Sequence, residues 1–94
     1  MRLSLILMVS ATTLGCQSLA SSERAVAAFE ARAKSCAHWA GEEAYDAERG
    51  AQIDAAMKTQ RCAALLTDAE RLRAANRSSP ALVSRINEAV SPFY

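Results

Sequence analysis

Glycine and proline are scarce in this chain: Gly15, Gly41, Gly50, Pro80 and Pro92 are all it has. No segment alternates apolar and polar residues with the period of two that a half-buried strand needs. Both absences exclude a strand-and-turn architecture and favour helices. Large apolar residues are also few. From Ser21 onward alanine fills 19 of 74 positions, and Val, Ile, Leu, Met, Phe, Trp and Tyr together fill only 15. Alanine buries little area, so a chain of this size is expected to need a covalent staple. At 94 residues there is room for one small core, which excludes a barrel, a dinucleotide-binding fold or a multidomain enzyme. A charge excess is missing too: the net is +1 and falls to zero without Arg2, which argues against dedicated nucleic-acid binding. No Ser-His-Asp signature, phosphate loop or metalloprotease motif occurs. Catalysis is therefore not expected, and no catalytic residue or cofactor is assigned.

What is present begins at the N-terminus. Met1-Arg2 supplies a positive charge, Leu3 to Val9 is an apolar run broken only by Ser4, and small or polar residues follow. That order is the plan of a secretory signal, and the run is shorter than the about 20 residues of a membrane-spanning helix. Thr13-Leu14-Gly15-Cys16 resembles the lipobox of bacterial lipoproteins: Gly15 before the cysteine fits the pattern, whereas Thr13 stands where leucine is usual. The resemblance implies lipidation of Cys16, which would become the first mature residue, and Gln17 after it implies the outer rather than the inner membrane. Ordinary cleavage after Ser18-Leu19-Ala20 is the competing outcome. Three cysteines is an odd number, and removing or lipidating Cys16 leaves an even pair. The expected organisation is a signal over residues 1–15 (1–20 if cleaved after Ala20), a tether over 16–22 and a single helical domain over 23–94.

The domain reads as all-α, either a disulfide-stapled helical hairpin or a bundle of three to four short helices. A first helix is expected from Ser21 or Ser22, with Glu23 in its first turn and Val26, Phe29, Ala33 and Cys36 or Ala37 on one face, stopping at Gly41. A second should start at Asp46 and carry Ile53, Ala56 and Met57. The stripe Cys62, Leu65, Leu66, Ala69, Leu72 is out of phase with Ile53 by about 180 degrees. A bend near residues 58–61 is one solution, and Thr67-Asp68-Ala69-Glu70 has the form of a capping box for a restart. The last helix has Ser79 as cap, Pro80 at its first position, and Leu82, Val83, Ile86 and Val90 as its stripe, ending at Ser91-Pro92.

In an oxidising compartment Cys36 and Cys62 should form a disulfide, contributing about 3.5 kcal/mol. A plain hairpin turning at Gly41 would leave the two cysteines at different heights, and bridged Cα atoms cannot lie more than about 7 Å apart. The expectation drawn from this is that the first helix unwinds soon after Cys36 and that His38 to Tyr45 runs outward as a nonhelical arm. Trp39 and Tyr45 would pack along the helices, with Glu42 and Glu43 exposed.

This arm, with Asp46, is the candidate binding segment: His38, Trp39, Gly41, Glu42, Glu43, Tyr45 and Asp46 gather the only His and the only Trp with three carboxylates. The spacing Cys36-x-His38-x-x-Gly41-Glu42-Glu43-x-Tyr45-Asp46, followed by Cys62, resembles short exported bacterial proteins of unknown function. The resemblance spans about 27 residues and implies a helical, disulfide-linked module without a known activity. A zinc site from Cys36, His38 and Cys62 would need reduced thiols, which the compartment opposes. A structural His38, bonded to a carboxylate or a backbone carbonyl, is the favoured reading, and no metal ligand is assigned.

Charge is segregated despite the balanced total: residues 41–57 carry a net of −4 and residues 58–85 a net of +4. Paired, solvated helix faces account for this, and the alternative is an arginine-rich half facing anionic lipid or an acidic partner. The function expected is a noncatalytic interaction or structural module of the cell envelope, held to the membrane through Cys16 and offering the arm to an envelope protein. The other class kept open is a soluble periplasmic binder or inhibitor of a metal, small ligand or hydrolase.

Overall fold

The computed structural model describes the backbone of residues 14–94 and side chains from residue 19 onward. Residues 1–13 of the expected signal, and the side chain of Cys16, lie outside the described residues. The described chain is a small all-α bundle: α1 (Leu14–Ala40), α2 (Ala47–Thr59), α3 (Leu65–Ala75) and α4 (Pro80–Val90), with 3-10 turns at Cys62–Ala64 and Ser91–Phe93. It contains the Cys36–Cys62 disulfide, with Cα atoms 5.6 Å apart.

Helix α1 does not start at Ser21 or Ser22, which sit inside it. Its expected stripe holds: Val26, Phe29, Ala33 and Cys36 are all buried. No residue from Leu19 to Ala25 is buried, so the bundle closes on α1 only from Val26. The expected unwinding after Cys36 is wrong. Ala37-His38-Trp39-Ala40 continues the helix, and the amide of Gly41 donates to the carbonyls of Ala37 and His38, both at 3.2 Å. The nonhelical stretch is thus only Gly41 to Asp46. It still suffices, because six nonhelical residues can span about 20 Å, comparable with the length of the 13-residue α2. The chain can therefore travel out along the end of α1 and the loop and return to Cys62 along α2.

Asp46 begins α2 as expected, its side chain accepting from the Arg49 amide at 2.7 Å. The break near residues 58–61 is also real. Helix α2 stops at Thr59, and Arg61 takes left-handed backbone angles, φ 53° and ψ 47°. The restart comes at Cys62 and Leu65, not at Thr67, which lies within α3. At α4, Ser79 and Pro80 occupy the expected positions, but the Ser79 side chain makes no capping bond.

The core joins three helices: Val26, Phe29, Ala33 and Cys36 of α1, Leu65 and Ala69 of α3, and Leu82, Ile86 and Val90 of α4. Two charged clamps fix their directions. Arg32 Nη2 meets Asp68 Oδ2 at 2.9 Å, and Leu72 borders the same groove as Phe29 and Ala25, so α3 runs antiparallel to α1. Arg85 donates to both carboxylate oxygens of Glu30, at 2.7 and 3.1 Å, and Pro92 lies level with Ala37, so α4 runs parallel to α1. Arg32 also donates to the carbonyls of Gln60 and Arg61, each at 2.7 Å. Those carbonyls lie in the break after α2, where the Arg61 carbonyl also accepts from the Ala64 amide at 3.1 Å, so the guanidinium joins α1, the break and α3.

Candidate functional site

The loop between α1 and α2 is organised by Arg49, one turn into α2. Asp46 starts that turn, which brings the Arg49 side chain back toward the end of α1. Its guanidinium lies over the Trp39 ring, 5.3 Å from the centroid, where the ring face attracts a cation. One nitrogen bonds Glu42, and another donates to Gln52 Oε1 at 3.0 Å. Trp39, Glu42 and Arg49 are each half-buried. Glu42 was expected to be exposed; it is instead the acidic partner that closes the loop over Trp39.

The remaining arm residues take no part in the Arg49 contacts. His38 is exposed, and its ring meets Trp39 edge-on at 5.1 Å. Its contact is thus an aromatic ring and not the carboxylate or carbonyl expected. Tyr45 was expected to pack along the helices, yet it is 78% exposed. The loop has no regular structure at that point, and the ring stands in solvent. Glu43 is exposed, as expected. Gly41 has a negative φ, and a Cβ there would meet only ordinary contacts at 3.6 and 3.7 Å, so this glycine ends α1 without supplying a left-handed turn. Because both sulfurs are bonded to each other, the set Cys36, His38 and Cys62 has no thiolate to offer zinc.

Three features carry weight that the sequence reading did not assign. Arg49 was counted only as a charge, although an arginine one turn after a capping aspartate is well placed to reach back over a preceding tryptophan. Arg32 bonds partners 28 and 29 residues away, and no local pattern signals that. Asn76 is a buried polar residue, 6% exposed, whose amide nitrogen donates to the Leu72 carbonyl at 2.8 Å and closes the end of α3. Asparagine before Arg-Ser-Ser-Pro is a readable helix stop.

Beside the disulfide an open groove of about 520 Å³ is lined by Met57, Cys62, Lys58 and Arg61. Cys62 is half-buried and borders it, while Cys36 is fully buried. In the bundle, Glu30 is held below its ordinary pKa, chiefly by the hydrogen bonds from Arg85, which outweigh the opposing effect of burial, with the charge of that guanidinium adding a smaller lowering. Among the described residues no helix is long and apolar enough to cross a membrane. No protein-family model matches the chain, and no curated protein or solved structure shows significant similarity to it.

Proposed function

We propose that this protein is a noncatalytic interaction module of the cell envelope, anchored by lipid on Cys16 and presenting the exposed edge of the α1–α2 loop to a protein partner. The observation that carries this reading is the division of labour within the loop. Trp39, Glu42, Asp46 and Arg49 hold one another and fix its path, and Glu43 and Tyr45 are left facing solvent. A rigid loop displaying a tyrosine beside a carboxylate suits protein recognition, because tyrosine gives large contact area at a small entropic cost. The loop lies at the end of α1 opposite Cys16, about 36 Å away along the helix, which suits display away from an anchoring surface.

Two measurements test the two halves of the proposal. Fatty-acid labelling with mass analysis of the mature N-terminus is expected to find a lipidated Cys16 and no residues 1–15. Cys16→Ser should lose membrane association, and a variant that still fractionates with the outer membrane would contradict the anchor. In co-purification from the producing cells, Tyr45→Ala and Glu43→Gln should each lose the same partner while the fold is retained. Partner recovery unaffected by either change would contradict the loop assignment.

A further inference from the structure

The charge segregation seen in the sequence becomes directional in the fold. Asp68 stands level with Arg32, and α3 runs back toward the start of α1, so Arg77, nine residues later, reaches the level of Glu23 and Arg24. At 1.5 Å per residue, that level lies only about 10 Å along α1 from Cys16, whereas the acidic loop lies about 36 Å from it. Arg24 and Arg77 are exposed, and Arg71, further up α3, is 77% exposed with only a 3.8 Å approach to Asp68. Arg73 beside them donates to the neutral Asn87. Of the nearby carboxylates Asp68 is held by Arg32, and Glu23 and Glu70 are exposed, so four arginines (Arg24, Arg71, Arg73 and Arg77) stand against two free carboxylates at this end.

We propose that this arginine-bearing end, the α3–α4 turn together with Arg24, is a docking surface for anionic phospholipid headgroups. The proposal rests on the anchoring reading above and adds an orientation to it. A lipid on Cys16 holds the end of α1 at the bilayer, and about 10 Å is roughly one screening length at physiological salt, so Arg24 and Arg77 lie within reach of the negative surface potential. The loop, with its net negative charge, lies several screening lengths away, beyond the reach of that potential. The anchor and the arginines together stand α1 away from the membrane and point Glu43 and Tyr45 outward.

Limited trypsin cleavage, on vesicles, of the mature protein purified from the producing cells tests this. Arg77 lies in an exposed turn before Ser78, and Arg61, in the break between α2 and α3, is the internal reference because it sits about 24 Å from the level of Cys16. The chain is mixed with phosphatidylcholine vesicles or with vesicles in which about one lipid in three is phosphatidylglycerol. Cleavage after Arg77, relative to that after Arg61, is expected to slow on the anionic vesicles and to recover in about 0.5 M salt. Arg24→Gln should remove about fivefold of that protection, the factor matching about 1 kcal/mol per arginine near a charged surface. Equal relative cleavage on both vesicles, or protection unaffected by salt and by Arg24→Gln, would overturn the headgroup surface. Flotation with pure phosphatidylcholine, which offers no net charge, reads the N-terminal anchor separately. Loss of flotation there with protection kept on anionic vesicles would strike the anchor and leave the surface standing.

Discussion

The three-helix core and the α2 hairpin are held by different physics. Helices α1, α3 and α4 share nine mutually packed buried residues, whereas α2 buries Ile53 alone and that residue lies outside the cluster. Helix α2 is fastened at its two ends instead, by the Arg49 hub at the start and by the disulfide with the Arg32 bonds at the finish. An alanine-rich chain has too few large side chains to bury four helices. It concentrates them in three and latches the fourth with one covalent bond and two arginines. The loop between latched ends is free to use its remaining side chains for recognition.

The largest contrast should come from matched truncations. Ile86, fully buried between packed helices, should cost about 4 kcal/mol as Ile86→Ala. Ile53→Ala should cost less than half as much, because α2 is held by its ends. Chemical denaturation of both variants checks this, and equal losses would erase the distinction between the regions. At the hub, Arg49→Ala removes a cation–aromatic contact and an ion pair, each worth up to about 1 kcal/mol when half-exposed. Glu42→Gln should lower stability more than Glu43→Gln, and Tyr45→Ala should change it by less than about half a kcal/mol.

Arg61 offers a gain in place of a loss. A nonglycine residue in left-handed backbone is strained by about 1–2 kcal/mol, and the greater freedom of glycine in the unfolded chain offsets part of the relief. Arg61→Gly should therefore raise the melting temperature slightly, since its side chain is exposed and its carbonyl still accepts from Arg32. The smallest effect concerns the core's outer clamp. Because Glu30 has a lowered pKa in the folded state, its contribution is present above its ordinary value of 4.5 and is lost as pH falls through the lower folded value. Thermal melts from pH 5 to 3 should show a shallower decline for Glu30→Gln than for the native protein.

The core was legible because its signals are periodic. The stripes of α1 and α4, the Asp46 and Ser79-Pro80 starts, the break before Cys62 and the cysteine pairing all follow from spacing or parity. The loop was read less well, for physical reasons. Nothing in Ala37-His38-Trp39-Ala40 stops a helix, and the six loop residues reach far enough to close the bridge without unwinding it. Tyr45 was assigned to packing by residue type, although the path of an irregular loop decides the direction of a side chain independently of its hydrophobicity. The Glu42–Arg49 pairing depends on how α2 turns back after Asp46. The strain at Arg61 carries no glycine to announce it.

The two-mode account is tested most directly by native-state amide exchange of the oxidised and reduced protein. Removing a bridge worth about 3.5 kcal/mol should lower the melting temperature by more than about 10 °C. More specifically, in the reduced protein the amides of residues 47–59 should lose most of their protection, while those around Phe29, Ala69 and Ile86 remain slow. Loss of protection in all four helices together, or an α2 indifferent to reduction, would contradict a packed three-helix core carrying a latched fourth helix.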